Sequence, residues 1–123
     1  MIQNPIFPGF NPDPCICKKG EDYYVAVSTF EWFPGIPIYH SKDLKNWELL
    51  THVLTDDTEV DLKKLPSAKG IWAPCLTYCE EEGLFYVVYG IMNSMNARYF
   101  DVDNYLITSE DITGPVSYTH LTL

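Results

Sequence analysis

Gly9-Phe10-Asn11-Pro12-Asp13-Pro14-Cys15-Ile16 sets one carboxylate between two prolines, directly ahead of a short apolar run. Proline fixes its own φ and biases the residue before it away from the α region. Pro12 and Pro14 therefore predict an extended, pre-set backbone at Asp13. Groups that do chemistry need such preorganisation. The same residue types also build Asx-type turns, and the stretch alone does not separate the two readings. Its last three residues carry more. Pro14-Cys15-Ile16 recurs as Pro74-Cys75-Leu76, and the sequence downstream recurs with it.

After the first of these, residues 15–18 form a short strand candidate ending in Lys19-Gly20-Glu21-Asp22. Residues 23–29 are dense in aromatic and β-branched side chains, the composition of a buried strand. Phe30-Glu31-Trp32-Phe33-Pro34-Gly35 reads as an aromatic loop closed by a Pro-Gly turn. Strands over 36–41 and 47–53 complete an antiparallel meander. Residues 55–69 are polar and weakly periodic, a connecting loop with one helical turn around 60–64. Strand patterning resumes over 71–78 and 84–90, passes a longer loop over 91–103, and returns at 105–109.

The two series align. Residues 23–29 match 84–90, and Tyr39-His40-Ser41-Lys42-Asp43-Leu44 matches Ile107-Thr108-Ser109-Glu110-Asp111-Ile112, with the offset growing from 60 residues to 68. An internal repeat of four-stranded antiparallel units predicts an all-β fold of propeller type. Blade one covers about 13–53, the connecting loop 54–70 and blade two about 71–123. A propeller closes with roughly four to eight blades, so two predict an incomplete one.

The chain has 123 residues, enough for one modest domain. Its formal charge of −9 repels a polyanion, which argues against nucleic acid and suits a neutral partner such as a sugar. No run of 18 apolar residues exists to span a membrane. Met1-Ile2-Gln3-Asn4-Pro5 has neither a basic nor an apolar leader region, which predicts a cytoplasmic chain if Met1 is the true start. Cys15, Cys17, Cys75 and Cys79 are spaced C-x-C and C-x3-C, not as zinc knuckles. They are expected as buried free thiols, with no metal and no cofactor.

Five motifs in order carry a family resemblance. They are Gly9-Phe10-Asn11-Pro12-Asp13-Pro14, then Asp22-Tyr23-Tyr24 running to Ser28-Thr29-Phe30-Glu31-Trp32-Phe33-Pro34-Gly35, His40-Ser41-Lys42-Asp43-Leu44-Lys45-Asn46-Trp47, Gly70-Ile71-Trp72-Ala73-Pro74 and Ile112-Thr113-Gly114-Pro115. Together they resemble the N-terminal part of glycoside hydrolase family 43, of the β-xylosidase and α-L-arabinofuranosidase kind. The resemblance implies a five-bladed β-propeller, of which this chain holds the first two blades. It also implies inverting hydrolysis of xylo-oligosaccharides from the chain end, with Asp13 as general base. Phe30 and Trp72 fall on positions that line the sugar subsite, though both residue types also serve as ordinary core. Trp32 and Phe33 are candidates for the pocket mouth, Glu31 for polar support or a solvated loop position, and Trp47 for core. His40 and His52 have no nucleophile to serve. Asp101 and Asp103 lack the Gly and distal Glu of a Ca²⁺ loop.

The chain also departs from the family. The later Phe-Asp-Pro-Ser-like and Thr-Glu-Gly-Pro-like motifs, which carry the other two catalytic carboxyls, do not occur in residues 1–123. The Trp expected after Gly114-Pro115 is replaced by Val116, residues 116–123 do not follow the pattern, and Cys15 stands where Ser is common. Two readings of different class follow. One is a piece of a glycosidase, inactive alone. The other is a non-catalytic carbohydrate-binding or vestigial propeller fragment. A related five-bladed group, the invertase-like hydrolases, orders its Asn, Asp and Pro differently.

Overall fold

The computed structural model describes residues 1–56, 60–95 and 100–121. Among them the chain forms strands and no helix: β1 (Cys15–Lys19), β2 (Asp22–Ala26), β3 (Gly35–Ser41), β4 (Glu48–Leu54), β5 (Gly70–Cys79), β6 (Leu84–Ser94), β7 (Asp101–Ser109) and β8 (Ser117–Leu121). They make two four-stranded antiparallel sheets in meander order, β1-β2-β3-β4 and β5-β6-β7-β8. The all-β class expected from the sequence is the class observed. The tight turns do what their residues allow. Gly20, at φ 60°, supplies the positive φ that the two-residue link between Lys19 and Asp22 needs.

The motif His40-Ser41-Lys42-Asp43-Leu44-Lys45-Asn46 is the β3–β4 turn. Ser41 Oγ accepts from the Asp43 and Leu44 amides, and Asp43 Oδ1 accepts from the Lys45 and Asn46 amides at 2.9 and 2.8 Å. Those amides hold the Asp43 carboxyl far below the usual carboxylate range. Its repeat partner after β7 folds alike: the Asp111 amide donates to Ser109 Oγ, and the Thr113 amide to Asp111 Oδ1. The repeat in sequence is thus a repeat of side-chain-capped turns.

The sheets share one apolar core. Tyr24, Ala26, Ile36 and Ile38 of the first sheet pack with Leu76, Phe85, Val87, Tyr89 and Ile107 of the second. The first strands of the two sheets touch, with the Leu76 amide donating to Cys15 Sγ at 3.3 Å. Loop residue Val60 is buried in the same core, and Leu62 and Leu65 pack against it.

Several expectations need correction. The strand expected over 23–29 stops at Ala26, because the next amides leave the sheet: Ser28 donates to Pro12 O, and Thr29 and Phe30 to Ile71 O. The loop expected over 91–103 is largely strand. Ile91 pairs with Asp103 and Met92 with Val102, and Ile91 and Met92 are buried like the apolar residues before them. The helical turn around 60–64 is a single hydrogen-bonded turn, Leu65 N–H to Leu62 O. Residues 117–121 do form a strand, paired with β7 from Thr108 to Asn104. All four cysteines are free, but only Cys17 is buried. Cys75 is exposed, because it alternates with buried Leu76 along β5. Trp47 lies just before β4 and packs on Phe7 (5.3 Å between ring centroids), outside the shared core.

His40 makes one part of this fold pH-sensitive. Its Nε2 lies 2.6 Å from Asp22 Oδ1 and its Nδ1 3.3 Å from Glu48 Oε1, while Lys42 Nζ lies 2.8 Å from Asp22. Asp22 first, then Glu48, hold the imidazole above its ordinary range against some burial. A raised folded-state value means stability that is complete below about pH 6.5, the unfolded value, and lost as pH rises through the folded one. His52 is pushed the opposite way by burial and titrates with opposite sign. The difference between wild type and His40→Gln is therefore the quantity to read. Thermal melts at pH 6 and pH 8 are expected to show His40→Gln more destabilising at pH 6. Equal losses at both pH values would refute the ion-pair account.

Candidate active site

Asp13 sits on the last turn before β1, and its exposed carboxylate accepts a 2.7 Å hydrogen bond from Ser28 Oγ. The backbone there is not extended, as the flanking prolines suggested, but left-handed, at φ 52°. Local propensity is overridden by two contacts to one residue: the Ser28 amide donates to Pro12 O at 2.9 Å, and its hydroxyl to the carboxylate. Asp tolerates this region better than most residues.

Ser28 is fully buried and faces both sheets. Its oxygen accepts from the Ala73 amide at 2.7 Å, so Asp13 is tied through one hydroxyl to β5 next to Trp72. Two residues beyond Ser28, Phe30 forms an isolated bridge with Ile71, its amide and carbonyl each bonding at 2.9 Å. That bridge sets the Phe30 ring against Trp72, with centroids 5.4 Å apart and planes at 34°. Phe10 also packs on Phe30, edge-on at 5.3 Å between centroids. Asp13, Phe30 and Trp72, named from the sequence, thus come to one place.

Three of the six non-glycine residues with positive φ among the described residues lie here, the others being Ile36, Leu44 and Ala68. Asp13, Phe30 and Ala73, at φ 52°, 53° and 47°, are all non-glycine residues in the left-handed region. Each costs on the order of 1–2 kcal/mol, and such strain persists where surrounding contacts over-determine it. Gly70, at φ 101°, completes the set, because a Cβ there would lie 2.3 Å from the Phe30 carbonyl oxygen.

The remaining candidates fall outside this group. Glu31 turns away from it and ties the aromatic loop to the following one, accepting from Ser67 Oγ and the Ala68 amide at 3.1 Å each. Backbone amides, its own and that of Ala68, hold its carboxyl below the usual range. Trp32 is 65% exposed, and Phe33 lines a shallow groove with Val60 to Lys63. Asp103 accepts from Asn93 across β6 and β7, a cross-strand pair. No group of three or more His, Cys, Asp or Glu side chains able to hold a metal occurs among the described residues.

Two members of the site escaped the sequence reading, Ser28 and Ala73. Ser28 left a trace, since it is the first polar residue after an apolar strand and stands immediately before the Thr-Phe of the aromatic motif. Ala73 acts through its amide, which no side-chain pattern reports. Chemically, the site holds one carboxylate, Asp13, on an exposed residue, near two half-buried rings, Phe30 and Trp72, with Lys69 Nζ 5.8 Å from the Trp72 ring centroid. The Trp72 Nε1–H is buried without a partner among the described residues.

Comparison with known proteins agrees in one direction. The family model for glycosyl hydrolases family 43 matches residues 2–122. A beta-xylosidase of Bacillus subtilis (strain 168) is 51% identical over 113 residues, covering 92% of this chain and 21% of the relative. A non-reducing end alpha-L-arabinofuranosidase of Bacteroides ovatus is 42% identical over 120 residues, covering 94% of this chain and 21% of the relative. The crystal structure of a xylan beta-1,4-xylosidase from Bacillus halodurans C-125 superposes with a TM-score of 0.93 at 47% identity, covering 99% of this chain and 23% of that one. The chain therefore spans about a fifth of the length of the curated relatives it matches. With the family model matching nearly the whole chain and relatives at this identity, the chain belongs to glycosyl hydrolase family 43.

Proposed function

We propose that residues 1–123 are the first two blades of a five-bladed propeller. The parent would be an inverting, exo-acting glycosidase that releases xylose or arabinose from xylo-oligosaccharides. Asp13 is its general base, and Phe30 and Trp72 form the wall of the sugar subsite. The observation that carries this reading is the Asp13 carboxylate held by Ser28, whose hydroxyl also bonds the amide next to Trp72, with Phe30 packed on Trp72. The names of the relatives, beta-xylosidase and alpha-L-arabinofuranosidase, support the substrate class.

In inversion, one carboxylate activates a water on the face of the sugar ring opposite the leaving group, while a second, protonated carboxyl donates to the leaving oxygen. The two stand about 6.5–9.5 Å apart to admit that water. Asp13 suits the first task. It is exposed to water on one side and fixed on the other, with Oδ2 engaged by Ser28. The second carboxyl belongs to later blades, whose closure would turn the open shelf into a pocket.

The chain by itself is then expected to hydrolyse p-nitrophenyl β-D-xyloside and α-L-arabinofuranoside no faster than buffer. The test is to read the gene through and beyond codon 115 and assay the whole product. Turnover by the longer product, with the anomer of the released sugar inverted by NMR, supports the proposal. A gene that ends after Leu123, with sugar binding and no turnover, favours the non-catalytic fragment. Release with retained configuration would refute the role given to Asp13.

A further inference from the structure

We propose that Ser28 is the positioning residue of the reaction, a buried hydroxyl that aims the Asp13 carboxylate and couples its geometry to the second sheet. The proposal rests on the reading of Asp13 as the base. A serine hydroxyl has one proton to give and lone pairs to receive. At Ser28 the Ala73 amide occupies the oxygen at 2.7 Å. The single proton is thereby directed to Asp13 Oδ2, also at 2.7 Å. The result is a polarised relay, Ala73 N–H to Ser28 O–H to carboxylate, and bonds in such chains strengthen one another.

The Ser28 amide adds a second hold on the same turn by donating to Pro12 O. One residue thus pins both the backbone before Asp13 and the side chain itself. The carboxylate is tethered at Oδ2, its second oxygen has no partner among the described residues, and Asp13 is an exposed residue. That is the oxygen free to receive a proton from water.

The relay also crosses between sheets. Ala73 follows Trp72 directly, so movement of the subsite wall is transmitted to the base through one hydroxyl. A base off by about 1 Å can cost on the order of 100-fold in rate, which gives the device a purpose beyond folding. Ser28 does not touch the substrate and acts only through Asp13.

The experiment is a double-mutant cycle in a full-length enzyme carrying residues 1–115, either the whole gene product or a fusion to the later part of the Bacillus subtilis relative. Ser28→Ala, Asp13→Asn and the double variant are assayed on an aryl glycoside, with melting temperatures taken alongside. Ser28→Ala is expected to lower kcat about 10- to 100-fold, the loss of a hydrogen bond to a charged group, and to leave KM within about 3-fold. In the Asp13→Asn background the same change is expected to cost less than about 3-fold, since the group it positions is gone.

Equal losses in both backgrounds, or a loss confined to KM and melting temperature, would make Ser28 merely structural and overturn the proposal. If Asp13→Asn itself keeps wild-type turnover, it is the base assignment that fails, and the cycle tells the two failures apart. Should Ser28→Ala not fold, Ser28→Cys fills nearly the same space with a weaker donor. A lowered kcat at unchanged KM supports the relay there, and a wild-type kcat overturns it.

Discussion

Asp13→Asn in the full-length enzyme is expected to lower kcat by about 10²–10⁴-fold, the usual contribution of a positioned acid or base. KM should stay close to wild type. An amide is the same size as the carboxylate and still offers Ser28 an acceptor, so the turn and its left-handed φ survive. What disappears is the ability to take a proton from water. Aromatic packing on Phe30 and Trp72 persists, and binding without chemistry is the signature of a lost base rather than a lost site. Steady-state kinetics with a melting curve settle it. Turnover near the wild-type rate, in a protein that melts normally, would remove Asp13 from the mechanism.

Much of this molecule is legible in its sequence for a physical reason. Side chains that must face a shared core alternate, and turns that must be capped carry Ser and Asp at fixed places. The Ser41–Asp43 and Ser109–Asp111 turns share two caps, the Asp amide on the Ser hydroxyl and the amide two residues on upon the Asp carboxylate, so their sequences align as a repeat. Phe30 and Trp72 are legible through the family motifs that hold them, since by residue type alone either ring reads equally well as core.

What stayed hidden depends on contacts between distant segments. Pro12 and Pro14 favour an extended Asp13, yet Ser28 supplies two hydrogen bonds that outweigh the local preference. The far halves of β6 and β7 carry Asn93, Ser94, Asp101 and Asp103, polar residues that read as loop. They are strand because Asn93 donates to Asp103 across the ladder and Ile91 and Met92 are buried in it. Ala73 contributes only its amide. A backbone donor placed by tertiary structure leaves no mark in composition or periodicity.

Gly70→Ala tests how far the shelf depends on close backbone approach. Two glycines with positive φ make the comparison: Gly20 at 60° in an exposed hairpin, with nothing within 4 Å of an added Cβ, and Gly70 at 101°, where that Cβ would lie 2.3 Å from Phe30 O and 2.8 Å from its carbonyl carbon. Gly20→Ala meets only the conformational penalty, about 1–2 kcal/mol. Gly70→Ala adds a collision with backbone, which cannot rotate aside as a side chain can. The expected loss is about 3 kcal/mol or more, within the range of severe single substitutions. Relief comes only by parting Phe30 from Ile71, whose paired hydrogen bonds form the bridge. That parting slides the Phe30 ring off Trp72 and disturbs Ala73 and, through Ser28, Asp13. In the full-length enzyme, Gly70→Ala should therefore raise KM and lower kcat together, whereas Gly20→Ala changes stability alone. Denaturant melts and kinetics on the two variants read this directly. Equal stability losses, or an active Gly70→Ala enzyme with unaltered KM, would show that the Phe30–Ile71 bridge does not hold the site.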